Sequence, residues 1–137
     1  MCCLTFKFFI MTQEQKELLL KDLCARLHYG VMCAFPNNFN WKFDIVETLK
    51  PDSIKLLMED RTICKPYLRP MSSMTEEEKG KWYKTFGWKR VGNHENAFDT
   101  LETFDFYNEH HIDYRGLIEK GLALEAPEGM YKTESNE

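Results

Sequence analysis

A chain of 137 residues that is 43% apolar and 14% aromatic can bury one core without staples and is too apolar to stay disordered. Its net charge of -4 argues against a protein that coats nucleic acid or an anionic membrane over its whole surface. The charge is uneven: residues 1–70 hold ten Lys/Arg against eight Asp/Glu, and residues 71–137 hold eight against fourteen, so the acidity belongs to the C-terminal half.

Residues 1–10 are apolar, but Lys7 interrupts the run and polar Thr12, Gln13 and Glu14 follow where a small-residue cleavage site would stand. The segment reads as an extra strand, or as an extension ahead of a start at Met11, and is too short to span a bilayer. Thr12 and Gln15 have the form of a capping box. Leu19, Leu20, Leu23 and Leu27 then recur at helical spacing until Gly30, which predicts an amphipathic helix over 13–28. The apolar run 31–35, the turn signal Pro36-Asn37-Asn38 and the alternation of Phe39, Trp41, Phe43 and Ile45 predict two strands. Pro51-Asp52-Ser53 marks a break, and residues 54–59 read as a third strand, with a helical turn as the alternative.

Pro66 and Pro70 exclude a long helix over 61–70 and predict a turn followed by an extended connector, which offers a point of subdivision near 66–74. Thr75 and Glu78 form a second capping box, opening a helix that ends near Gly87. Phe98, Leu101, Phe104 and Tyr107 recur every three positions and mark a third helix from 96 or 97 to about His110, with Phe106 off the stripe. Asp113 is placed to cap a short last helix over 114–120, stopped by Gly121, and Pro127 closes the folded region before a polar tail from Tyr131. Strands grouped between helices predict the α+β class: an N-terminal helix, a small antiparallel sheet over about 31–59, then a C-terminal helical section. One domain over 11–126 is expected, with 1–10 as an extension and 127–137 as a tail.

Three segments resemble a group of small uncharacterised proteins from gut bacteria, their phages and mobile elements. The first is 65–78, with Lys65-Pro66-Tyr67-Leu68-Arg69-Pro70 and Thr75-Glu76-Glu77-Glu78. The second is 110–123, opening His110-His111-Ile112-Asp113-Tyr114-Arg115, and the third is Glu125-Ala126-Pro127-Glu128-Gly129-Met130-Tyr131. The leucine-rich 17–30 looks like the opening helix of the same group. The resemblance implies an origin on a mobile element and, by analogy, an interaction protein; it brings no activity with it.

Residues 79–90 interleave five cations with four aromatics, a composition suited to single-stranded nucleic acid, where cations meet phosphates and rings stack on bases. On a helix, however, Trp82, Tyr83 and Phe86 share one stripe and Lys81 and Lys84 the opposite face, the ordinary pattern of a core helix. Trp82, Trp88, Lys89 and Arg90 are the partner-binding candidates. His110, His111 and Asp113 are weak candidates for a metal or a general base, since neighbouring His at a helix end point apart and also suit a C-terminus followed by an N-cap.

The five cysteines, Cys2, Cys3, Cys24, Cys33 and Cys64, form no CxxC and are odd in number, which fits reduced thiols of a cytoplasmic protein. Cys24 is expected on the buried side of its helix or beside it, Cys33 inside a strand, and none is set up as a nucleophile. Phe39, Trp41, Leu68 and the N-terminal Phe6, Phe8 and Phe9 are candidates for an exposed apolar patch. No catalytic residues, cofactor or metal are assigned. The reading that follows is a non-enzymatic interaction or regulatory protein with a protein partner or self-association, with nucleic-acid binding as the alternative and a metal enzyme third.

Overall fold

In the computed structural model, residues 11–40, 42–80 and 101–131 are described. The α+β class stands, built on an N-terminal helix and a four-stranded mixed sheet with helices interspersed.

Helix α1 (Gln13–Arg26) begins at the capping box. The Gln15 N–H donates to Thr12 Oγ1, and Gln15 Oε1 accepts from the Thr12 N–H, both at 3.0 Å. A 3-10 turn (Leu27–Tyr29) tightens its end, and Gly30 at φ +76° takes the left-handed conformation that only glycine adopts freely. The buried stripe of α1 is Leu19, Asp22, Leu23 and Arg26, so the i, i+3, i+4, i+7 face carries an ion pair where leucines alone were expected. Leu20 and Leu27 are only partly buried.

Strand β1 (Met32–Phe35) follows. The alternation from Phe39 predicted strand, but residues 36–40 and 42–44 are loop, organised by asparagines: Asn37 Oδ1 accepts from the Phe39 N–H at 2.7 Å and Asn40 Oδ1 from the Lys42 N–H at 3.0 Å. Strand β2 (Ile45–Thr48) pairs antiparallel with β1, Met32 opposite Thr48 and Phe35 opposite Ile45.

The third strand expected over 54–59 is a helix, α2 (Pro51–Met58). Pro51 does not break the chain; it starts the helix, where its fixed φ fits and its missing N–H costs nothing. Ile54 and Leu57, three apart, turn into the core, while Leu56 and Met58 stay exposed. From α1, Lys16 Nζ donates to the Met58 carbonyl at 3.1 Å and to Asp60 Oδ1 at 2.7 Å, capping α2 and fastening it to α1.

The extended connector after Arg61 is a strand of the sheet itself, β3 (Lys65–Leu68), antiparallel to β1 with Cys33 opposite Pro66. Pro66 is tolerated because β4 (Leu124–Glu125) begins to pair only at Tyr67. Strand β4 runs parallel to β3, giving the order β2-β1-β3-β4, so the sheet reaches far beyond residues 31–59.

Register makes Met32 and Tyr67 the next opposing pair of β1 and β3, and Tyr131 stands there instead. Its hydroxyl accepts from the Met32 N–H and donates to the Tyr67 carbonyl, each at 2.8 Å. Tyr131 therefore belongs to the folded unit and not to the tail. Past it, Arg69 pairs with Ile112: the Arg69 N–H donates to the His111 carbonyl and the Asp113 N–H to the Arg69 carbonyl, both at 2.8 Å.

The core consists of Leu19, Leu23, Val31, Cys33, Leu49, Ile54, Leu57, Ile63, Cys64, Leu68, Leu117, Leu122 and Ala123. Helix α3 (Leu101–Glu109) packs against α1. Thr103 is fully buried and Asn108 nearly so, while Phe104 and Tyr107 stack on Tyr114 with ring centroids 5.3 Å away in each case. Over 114–121 the chain makes turns in place of the expected helix, although Asp113 does cap them and Gly121, at φ +76°, does end them.

Candidate functional site

The three segments singled out in the sequence meet in space, and a cleft of about 570 Å³ opens where the first and third face each other. One wall is Arg69, Pro70 and Ser73; the other runs from Glu125 to Gly129 and ends on Tyr131.

The first wall hangs from the end of β3. After Pro70 a single 3-10 turn (Met71–Ser73) leads into the second capping box, where Thr75 Oγ1 accepts from the Glu78 N–H at 3.1 Å and Glu78 Oε1 from the Thr75 N–H at 2.9 Å. A helix follows over 76–80. This geometry turns the Glu78 carboxylate back onto Arg69. The guanidinium donates from Nη1 to Oε2 at 2.9 Å and from Nη2 to Oε1 at 2.7 Å, with Glu78 fully buried. Its other donors reach Ser73 Oγ at 3.3 Å, the Ser73 carbonyl at 2.9 Å and the His110 carbonyl at 3.3 Å. Five N–H groups meet five acceptors, so Arg69 is a structural cation with nothing left for an anion.

The second wall is a tight turn. The Met130 N–H donates to the Pro127 carbonyl at 3.1 Å, and Gly129 occupies the third position at φ +87°, a conformation type II turns reserve for glycine. The turn leaves Glu125 and Glu128 exposed, and among the described residues neither carboxylate has an ion-pair or hydrogen-bond partner.

Behind Tyr131 lies His111, held at φ +60° with its ring stacked on the tyrosine at 3.9 Å between centroids. It is 8% exposed, and among the described residues its Nδ1 has no partner. Burial first, then the charges of Arg26, His110 and Arg69, push its pKa down to about 4, so the ring is neutral near pH 7. Deeper still, Asp22 accepts from Arg26 Nε at 2.8 Å and from Arg115 Nη1 at 2.9 Å, and Arg26 Nη2 donates to the Ile112 carbonyl at 2.7 Å. Both guanidinium groups lie over the Tyr114 ring, 5.5 Å and 4.6 Å from its centroid. Arg26 Nη1 is buried without an acceptor.

Of the candidates drawn from the sequence, His110, His111 and Asp113 do not converge on one point. Trp82, Trp88, Lys89 and Arg90 lie outside the described residues. His110 packs on Phe106, with ring centroids at 4.3 Å, and His111 on Tyr131, so the neighbouring imidazoles do point apart. Asp113 spends both oxygens on backbone: Oδ1 accepts from the Leu117 N–H at 2.8 Å and Oδ2 from the Ile118 N–H at 3.0 Å. Among the described residues no group of three or more His, Cys, Asp and Glu is placed to hold a metal ion. Cys33 and Cys64 are buried, and contact with Cys64 followed by burial drives the Cys33 thiol pKa strongly up; Cys24 is exposed on α1. Leu68 belongs to the core and not to a surface patch, Phe39 is 95% exposed, and Trp41, Phe6, Phe8 and Phe9 lie outside the described residues.

Sequence reading missed Asp22, Arg26, Arg69 and Arg115. A signal existed for one pair: Asp22 and Arg26 stand at i, i+4 on the same face as Leu19 and Leu23, where a solvated pair has no reason to be. Arg69 and Glu78 carried none, because their meeting depends on the turn between them.

No helix among the described residues is long and apolar enough to cross a membrane. No protein-family model, curated protein or solved structure matches the chain.

Proposed function

We propose that this chain is a non-enzymatic binding protein that recognises a protein partner at the cleft between 69–73 and 125–131. The observation that carries this reading is the division of labour around the cleft. Groups able to react are committed inward, as Arg69 is to Glu78, Asp113 to backbone amides and His111 to the Tyr131 ring. The outward-facing groups offer only shape, apolar surface and unpaired charge. A concavity of about 570 Å³ is in the range that small ligands or a few residues of a peptide occupy. A role in a mobile element or phage is the setting that the sequence resemblance supports.

The test is affinity capture of the tagged full chain from its native cell, beside a Ser73→Trp variant that fills the cleft and removes one of the five Arg69 acceptors, its folding checked by circular dichroism. One specific protein should be recovered with the natural chain and lost with the variant. Equal recovery with both, or no recovery with either, would overturn the reading. Nucleic acid in place of protein would favour the segment 79–90 instead.

A further inference from the structure

Resting on that reading of the cleft, we infer that its occupant is a basic segment of the partner protein, one lysine or arginine side chain entering between the two walls. The cleft is complementary to positive charge, because Arg69, the one cation among its described lining residues, is cancelled. Glu125 and Glu128 bring two negative charges to the rim and have no partner among the described residues. Arg69 in the first wall is matched by Glu78 and saturated by five acceptors, so it adds no net charge and no free donor. An anion would find two carboxylates and no unused N–H of Arg69. A cation would find those carboxylates within a structure that already holds them in place.

The rest of the lining suits the stem of such a side chain. Pro70, Ala126, Pro127 and the Tyr131 ring supply apolar surface for methylene groups, while the charged head stays at the wet rim. Proline and a ring braced by hydrogen bonds to Met32 and Tyr67 cost little ordering entropy on binding. Glu125 is fixed by β4 and Glu128 by the turn that Gly129 closes, so the rim charges ride on backbone that is already set. The acidic excess of the C-terminal half, fourteen Asp/Glu against eight Lys/Arg, draws basic segments to this side of the sequence over a longer range.

The inference is tested with three capped pentapeptides, Ala-Arg-Ala-Lys-Ala, Ala-Gln-Ala-Gln-Ala and Ala-Glu-Ala-Glu-Ala, and with spermidine, each titrated into the 15N-labelled full chain at low salt. The expected result is that only the Arg/Lys peptide shifts the Ser73, Ala126 and Gly129 amides. Its affinity should fall about tenfold in the Glu125→Gln/Glu128→Gln variant and stay unchanged in a Glu14→Gln/Glu17→Gln control on α1, the value expected for losing two rim charges. Binding of the Arg/Lys peptide that ignores the rim variant, or that the control weakens equally, would overturn the inference. Spermidine binding as tightly with the same rim dependence would replace a protein segment by a free polyamine. If the Gln or Glu peptide alone shifts those amides, the basic class fails and the cleft stands as a binding site. If no probe shifts them and Ser73→Trp leaves capture untouched, both fail together.

Discussion

Two buried arginines donate to the carbonyls that flank His111, Arg69 to His110 and Arg26 to Ile112, and they are held differently. Arg69 is held by the Glu78 carboxylate at two points and has an acceptor for every N–H. Arg26 is wholly buried, shares Asp22 with Arg115, and keeps one nitrogen without an acceptor. The difference teaches that burial alone does not say what an arginine does. A saturated guanidinium fixes backbone around it, whereas an unsaturated one makes the fold depend heavily on a single counter-charge.

The comparison breaks or sharpens first on the carboxylates. Asp22→Asn should cost about 4 kcal/mol, since it takes away the charge that Arg26 and Arg115 share and leaves them a single amide oxygen, and Glu78→Gln about 3 kcal/mol, since Arg69 keeps an amide oxygen, Ser73 and His110. Denaturant unfolding of both variants measures the order, and a larger loss at Glu78 would reverse the comparison.

Next comes pH. His111 stays neutral in the folded chain down to about pH 4, while the unfolded chain takes up its proton from about pH 6.5 downward. Unfolding therefore binds a proton in that window, and stability falls as pH drops through it, by about 2–3 kcal/mol in all. Protonation would place a third cation beside Arg26 and Arg69. Thermal unfolding between pH 7 and 4 should show the loss, and His111→Asn, which suits a positive φ, should flatten it; an unchanged slope would show that the imidazole is not the group responsible.

Tyr131→Phe keeps the ring on His111 but strips the Met32 N–H and Tyr67 carbonyl of their shared partner, for an expected loss of about 1–2 kcal/mol. Faster amide exchange at Met32 would locate the damage. Smallest of all, Glu125→Gln and Glu128→Gln should change stability by less than about 0.5 kcal/mol, because neither carboxylate is paired among the described residues. A larger loss would give the cleft rim a structural role.

Local chemistry was readable wherever donor and acceptor lie within one turn of each other. Both capping boxes, the glycine stop at Gly30 and the Asp113 cap stand as the residues around them predict. Reading failed where one residue type serves two purposes. Pro51 looked like a break and is a helix start; Pro66 looked like part of a connector and sits in a strand of the sheet, at the position where β4 has not yet begun to pair. In α1 the eye follows leucines, while half of the buried stripe is Asp22 and Arg26.

The class, the first helix, the first strand and the caps follow from the sequence alone, because each rests on contacts between near neighbours in the chain. Only the tertiary structure decided the order of the sheet, the return of residues 124–126 to β3, the place of Tyr131 between two strands, and hence the cleft. Those depend on partners dozens of residues apart, such as Met32 with Tyr131 and Arg26 with Ile112, and no local pattern encodes which distant groups a buried charge or an unpaired amide will meet.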